Sequence, residues 1–414
     1  MPSPTTHPLR RAPHGSCRGT SSDGWLGAWQ RLILAALVFG LGACDADLTL
    51  PPEPDLPDPA VAEGLYDGPP ILPAPSLSVL TRNVYLGGNT GLVFGADFSD
   101  PVAVTEAAAT VWGQVLASDV PGRAKAIVAE IDATRPMVVS LQEVVRFAST
   151  GGTVIDWMTE IEAEIARRGL PYRTAAVQGG TAATLPVSPT ELVQFTDRIA
   201  VLVHEDVEVE EIQQGRYAAE LLLASAPPPI GDVVVRRGWI RLTASARRAR
   251  YHVVATHLET QGIRPIHDAQ AQELLGSVAA GLDGLTVIAS DLNSDAAAQP
   301  GDPSWTPTYE AALDARFTDT WLRSPRGPWA GDGFTCCQAP DLRNGPTLLK
   351  ERIDFVLARF RGRRGRSWRR LPGFVRVEVV GEEQDDRLDS GLWLSDHAGL
   401  MARLRIPALG PGTP

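Results

Sequence analysis

The sequence predicts an α/β fold in which mixed or antiparallel β-sheets pack face to face with helices outside. Three observations predict it. Short apolar runs recur from residue 77 onward, each of a length that suits a strand. Helix-period stretches occur among them but do not alternate regularly with the strands, so the sheets are not a series of parallel crossovers. The chain has 414 residues and 44% hydrophobic content, enough for one large domain or two ordinary ones.

The first strand is expected at Leu77–Asn83. Pro101–Ala117 has apolar residues at 104, 107, 108, 111, 112, 115 and 116, one face of a helix with proline at its first position. A second helix is expected over Pro121–Thr134, a strand over Met137–Glu143, and a helix over Thr153–Arg168 closed by Gly169. Strands follow near 172–178, 197–204, 207–213, 233–243 and 250–257, with a helix near 265–280. Leu285, Val287 and Ile288 begin another buried strand. Beyond a long loop region, strands are expected at 352–359, 374–380 and 397–405. No internal repeat and no second domain boundary is visible.

The formal net charge is −11, and lysine occurs only as Lys125 and Lys350. An acidic balance argues against constitutive tight binding to nucleic acid, while leaving room for an acidic nuclease that works through bound cations. The four cysteines, Cys17, Cys44, Cys336 and Cys337, have no zinc-finger spacing.

Residues 1–31 are polar and carry Arg10, Arg11, Arg18 and Arg31; the apolar run Leu32–Gly42 follows. A basic stretch before a short apolar run is the layout of a secretory signal, and the run is too short to span a bilayer comfortably. Leu41-Gly42-Ala43-Cys44 resembles a bacterial lipobox. The resemblance implies that residues 1–43 are removed and that Cys44 is lipidated, leaving the protein at the cell envelope, anchored to a membrane. The competing reading is a short buried helix with a free cysteine. Residues 44–76 then form a tether: Asp45–Ser76 holds nine prolines. At ~3.1 Å per residue it reaches roughly 100 Å. Residues 77–406 form the folded domain and 407–414 a tail.

The chemistry lies where polar residues interrupt apolar strands. In Leu285–Asp295 the strand gives way to Asp291, Asn293 and Asp295, and residues two apart on a strand share a face. A carboxylate there can hold a metal or orient water, and an amide can donate to a developing oxyanion. Alone this pattern also suits a turn. Four strands, however, end in such groups: at Asn83, at Gln142-Glu143, at Thr256-His257 and at Asp291. Two begin with them, at Asp354 and at Asp396-His397. If strands of both directions share a sheet, all six sets meet at one edge.

This ordered set resembles the endonuclease/exonuclease/phosphatase superfamily. The motifs are TRNVYLG (81–87), LQEV (141–144), THLE (256–259), SDLNSD (290–295), RIDFVLAR (352–359) and LSDHAGL (394–400). The resemblance implies a four-layer α/β sandwich and metal-dependent phosphoester hydrolysis by in-line attack of water. It implies Glu143 as the main ligand of Mg²⁺ (or Mn²⁺ or Ca²⁺), with Asn83 and Asp396 beside it. Asp291 would orient or deprotonate the water, and Asn293 would hold the phosphate. Asp354 would fix the tautomer of His397, which would bind phosphate or act as base. His257 would be a general acid. Arg198, beside Asp197, occupies a position where the family often places a substrate-side group. His204, His252 and His267 are expected to be structural or exposed, and Tyr309, Asp319 and Trp321 to be core.

The intact THL motif, with Gly333-Phe334-Thr335-Cys336-Cys337 before the RIDFV strand, departs from the apurinic endonucleases. The TRNVYLG start and the membrane tether favour a lipid head group or small phosphodiester over nucleic acid as substrate. Cys336 and Cys337 are read either as a vicinal disulfide or, by default, as two small apolar loop residues. The arginine run Arg359–Arg370 is expected at the end of its strand opposite Asp354, as a solvated loop. The resulting expectation is a monomeric, lipid-anchored phosphodiesterase. The alternatives are an extracellular non-specific nuclease and a non-catalytic surface-tethered binding lipoprotein.

Overall fold

The structure is a computed structural model that describes residues 76–225, 228, 230–246, 249–325, 327, 331–361 and 375–405. These all fall within one unit, Leu72–Pro414. The expected leader, Cys44, the proline-rich tether, arginines 362–370 and the tail lie outside the described residues.

In chain order, β1 (Ser76–Asn83) leads through the single turn α1 (Gly91–Phe94) to α2 (Pro101–Ala117) and α3 (Val120–Thr134). Then β2 (Val138–Gln142), β3 (Arg146–Ser149) and β4 (Val154–Asp156) precede α4 (Trp157–Arg168). Next come β5 (Tyr172–Ser188), β6 (Glu191–His204), β7 (Glu208–Arg216), β8 (Leu221–Ser225), β9 (Asp232–Val235), β10 (Gly238–Ala246) and β11 (Ala249–Thr256). Helix α5 (Arg264–Glu273) runs on as the π-turn Leu274–Val278 and returns to β12 (Gly284–Asp291). After α6 (Thr308–Asp314), β13 (Thr318–Asp319) and α7 (Thr320–Arg323), the described strands close with β14 (Asp354–Arg361), β15 (Val375–Val380) and β16 (Gly399–Arg405).

Two mixed sheets result. One runs β15-β16-β1-β2-β6-β3-β4, with β5 paired to β6; the other runs β13-β14-β12-β11-β10-β7. Strands β1 and β2 are parallel while β16 is antiparallel to β1, and β11 and β12 are parallel while β14 is antiparallel to β12. Period-2 alternation assigns the faces. Leu77 and Val79 of β1 and Val287 and Ala289 of β12 point into a core shared by the two sheets. Leu80 of β1 turns the other way, onto α2, α3 and α4 through Val111, Ile127 and Ile161. Ile288 of β12 packs on the opposite outer layer, with Ala271 and Leu274. The architecture is therefore a four-layer α/β sandwich.

Several boundaries differ from expectation for identifiable reasons. Helix α4 starts at Trp157, not Thr153, because 154–156 pair with β3 and the Asp156 carboxylate accepts from Met158 N–H as an N-cap. Gly169 closes α4 with φ of 63°, as its position requires. The single strand expected over 233–243 is two, because β9 pairs with β8 whereas β10 pairs with β11. Arg236 and Arg237 occupy the break.

Candidate active site

The strand ends converge. Register brings Asn83 of β1 opposite Gln142 of β2, and Asp291 of β12 opposite Asp354 of β14. His257 forms an isolated parallel bridge with Asp291 at the end of β11. The segment before β16 is tied to β1: Ser395 Oγ donates to Asn83 O at 2.8 Å, and Arg82 Nη1 to His397 O at 2.6 Å. Six sets of polar residues from both sheets thus share one rim. Glu143, His257, Asp291, Asn293 and His397 line a hollow of about 500 Å³.

Asn83 joins the sheets. Its Nδ2 donates to Glu143 Oε1 and to Asp291 Oδ2, each at 3.1 Å, while its Oδ1 accepts from Tyr85 N–H at 2.9 Å. Glu143 Oε2 accepts from Leu86 N–H at 2.9 Å. Glu143 and Asn293 lie in the left-handed region, with φ of 57° and 47°. Such backbone costs roughly 1–3 kcal/mol per non-glycine residue and turns each side chain sharply out of its strand. Asn293 N–H donates to Asp291 Oδ1 at 2.9 Å, but its amide nitrogen is engaged by Leu258 O, also at 2.9 Å.

Two histidines flank Asp291 with opposite electrostatics. His397 Nδ1 lies 2.8 Å from Asp354 Oδ2 and 3.9 Å from Asp291 Oδ2. Although burial works against its charge, Asp354, Asp396 and Asp291 together hold the imidazole well above its ordinary value, in the protonated state. His257 Nε2 lies 3.5 Å from Asp291 Oδ2, and its Nδ1 lies 3.0 Å from Arg237 Nη1. Burial, then Arg237 and His397, push His257 well below the ordinary value, so the ring is neutral. Burial and the charge of Asp354 raise Asp291 to about 7. Burial and Glu143 raise Asp396 to about 6.

The donor set fits a hard divalent cation. Glu143 and Asp396 are crowded carboxylates at one end of the cluster, with Asn83 between Glu143 and Asp291. Burial and Glu143 raise Asp396 even though His397 and Arg123 oppose the shift, and an added positive charge would relieve that crowding. In its present orientation Asn83 offers these carboxylates its nitrogen, so it acts as a bridge between them. Asp291, Asp354 and His397 also bring one ligand atom each to within 4.8 Å of one another.

Arg198 is not part of the rim. Its guanidinium is held by Asp156, and its Nε donates to Val144 O at 2.8 Å, behind Glu143. The guanidinium that lines the hollow is Arg237, and Asp197 lines it too. Sequence reasoning missed Arg237, Asp197 and Glu259. The one available signal was the pair Arg236-Arg237 interrupting an otherwise apolar run. His252 and His267 have structural partners, Asp283 O at 3.1 Å and Leu292 O at 3.0 Å. Tyr309, Asp319 and Trp321 are buried, with Tyr309 Oη donating to Asp319 Oδ2 at 2.8 Å. Cys336 and Cys337 are paired as a vicinal disulfide on the wall of the hollow, in place of the default of two unlinked residues. Arg361 lies opposite Gly284, at the far end of the β12–β14 pair from Asp291 and Asp354.

No family model matches the sequence, and no curated protein matches it. Solved structures similar to it include endonuclease/exonuclease/phosphatase proteins and TDP2. An endonuclease/exonuclease/phosphatase from Beutenbergia cavernae is 20% identical, over 80% of this chain and 72% of that one, with a TM-score of 0.46. A family protein from Leptotrichia buccalis is 12% identical, over 79% and 99%, with a TM-score of 0.48. Truncated Caenorhabditis elegans TDP2 is 15% identical, over 81% and 99%, with a TM-score of 0.46.

Proposed function

We propose that the protein is a divalent-metal-dependent phosphodiesterase. One observation carries the reading: Glu143, Asn83 and Asp291 form a hydrogen-bonded chain across both sheets, beside the Asp354–His397 pair, with Glu143, Asp291 and His397 on the wall of one hollow. Groups whose environments drive their proton affinities apart are the usual basis for dividing acid and base work.

Glu143 and Asp396 would hold the cation, with Asn83 orienting Glu143; when bound, the cation supplies Lewis-acid stabilisation of charge on the phosphoryl oxygens. Asp291, with Oδ1 held by Asn293 N–H, accepts a proton from the attacking water at Oδ2, the oxygen that Asn83 Nδ2 also orients. The P–O bond to the leaving group then breaks on the far side. His397 is charged, and Asp354 holds its Nδ1–H, so Nε2–H is the proton source for the leaving oxygen. His257 stays neutral and contributes an Nε2–H hydrogen bond to a non-bridging oxygen. That differs from the general-acid role expected from the motif: Arg237 at Nδ1 opposes the imidazolium that role needs.

The full chain with Mg²⁺ is expected to hydrolyse bis-p-nitrophenyl phosphate. EDTA should abolish turnover, and added Mg²⁺ should restore it. No hydrolysis of that diester, nor of DNA, RNA, sphingomyelin, phospholipids or inositol phosphates, would leave only the binding lipoprotein. A lipid head group or other small phosphodiester is preferred to nucleic acid, because the guanidinium that lines the hollow, Arg237, is committed to carboxylates. DNA zymography separates the nuclease alternative. The envelope location rests on the lipobox-like sequence at Cys44. Cys44→Ser should move the protein from the membrane fraction to the soluble fraction, and an unchanged distribution would remove the anchor.

A further inference from the structure

We infer that Arg237 is a positioning residue that keeps the His257 ring proton on Nε2, where it faces the reacting phosphate. The inference rests on the proposed function only for what that proton does; the ring state itself is a property of the apo protein.

The geometry is one-directional. A guanidinium has donors and no acceptor, so the ring atom 3.0 Å from Arg237 Nη1 must offer a lone pair. That atom is Nδ1. The ring's hydrogen is then on Nε2, which lies on the side of the hollow, 3.5 Å from Asp291 Oδ2.

The cation is held by two carboxylates. Arg237 Nη2 lies 3.3 Å from Glu259 Oε1, and Nη1 lies 3.6 Å from Asp197 Oδ2. Glu259 is itself fixed: Oε1 accepts from Thr260 N–H, and Glu259 N–H donates to Gln270 Oε1, both at 2.9 Å. Sheet register accounts for the meeting. β10 pairs antiparallel with β11, with Trp239 opposite Thr256, so the residues just before Trp239 fall beside those just after Thr256. Close packing of the neighbouring backbone depends on two glycines. A Cβ on Gly180 would lie 2.6 Å from Arg236 O, and one on Gly238 2.9 Å from Gly215 O.

Removing the guanidinium changes which neighbour Nδ1 meets. Glu259, whose carboxyl is held below its ordinary value and whose Oε1 accepts from Thr260 N–H, then loses its cation and remains an acceptor on that side of the ring, while burial, which already raises Asp197 to about 7, favours the neutral acid there. The favoured state puts a hydrogen on Nδ1. A side chain that merely filled space would not produce that reversal.

Two-bond ¹H–¹⁵N spectra of the full chain labelled at histidine read the state of each ring nitrogen, and His257→Gln identifies the signal among the seven histidines. The expected result is a His257 ring with unprotonated Nδ1 in the wild type. In Arg237→Met, Nδ1 should be protonated, and in Arg237→Lys, which restores a donor-only cation, it should again be bare. In parallel, kcat on bis-p-nitrophenyl phosphate should fall at least ~10-fold in Arg237→Met, with KM within about twofold. A protonated Nδ1 in the wild type overturns the inference, as does a bare Nδ1 in Arg237→Met. Where Arg237→Met does not fold, the wild-type ring state alone decides. The spectra need no substrate, so a protein that hydrolyses nothing still gives the answer, and failure of the phosphodiesterase reading is seen separately.

Discussion

His397→Ala is expected to lower phosphodiester turnover by at least ~100-fold, the low end of what a positioned acid or base contributes. The ring is charged, it lines the hollow, and its Nδ1–H is committed to Asp354. The loss should appear mainly in kcat, because a proton donated to the leaving oxygen matters in the transition state and little on binding. Asp354→Asn is the companion test. It leaves the ring in place but replaces a carboxylate with a neutral amide, so turnover should fall while circular dichroism is unchanged. Steady-state kinetics on bis-p-nitrophenyl phosphate checks both, and near-normal kcat in His397→Ala would remove that residue from the mechanism.

Arg123→Met is expected to destabilise the fold by about 3–5 kcal/mol, the range seen when one member of a buried charged network is removed. Arg123 is fully buried on α3. Its Nε donates to Leu394 O at 2.8 Å, and its Nη2 donates to Tyr85 O at 2.9 Å and to Val84 O. It stacks on Trp157 with its guanidinium carbon 4.8 Å from the ring centroid. Methionine keeps much of the volume but leaves three buried carbonyl oxygens without this donor, and each such loss costs about 1–3 kcal/mol. Those carbonyls belong to the chain just after β1 and just before Asp396, so the rim should loosen with the fold. Thermal denaturation should show a melting point lower by on the order of 10 °C. A shift under a few degrees would mean that other donors or water replace the arginine.

The rim was legible because it depends on local pattern. Buried strands announce themselves by length and apolar content, and Asn83, Glu143, His257, Asp291, Asp354 and His397 each stand where such a run stops. Direction along the strand then assigns an end of the sheet. The cation behind His257 was not legible for the opposite reason. Arg237 lies in VVVRRGWI, which reads as part of one continuous strand; only the pairing of β9 with β8 and β10 with β11 reveals a break there. Its partners Asp197 and Glu259 are forty and twenty-two residues away, and no periodicity links them. Arg198 is expected at the site because it occupies a position where the resembled family often places a substrate-side group. Yet alternation along β6 gives Asp197 to the hollow and turns Arg198 toward Asp156. The start of α4 was misjudged because Asp156, the true cap, falls inside a stretch that also carries helical periodicity.

The amide of Asn83 reaches a carboxylate on each β-layer, at equal distances. It therefore works as a gauge of alignment: a slip of one layer past the other by half an ångström would lengthen one contact and crowd the other. Substitutions deep in the shared interior, such as Val79→Ala or Val287→Ala, far from any reacting atom, would then be felt as slower chemistry before they are felt as unfolding.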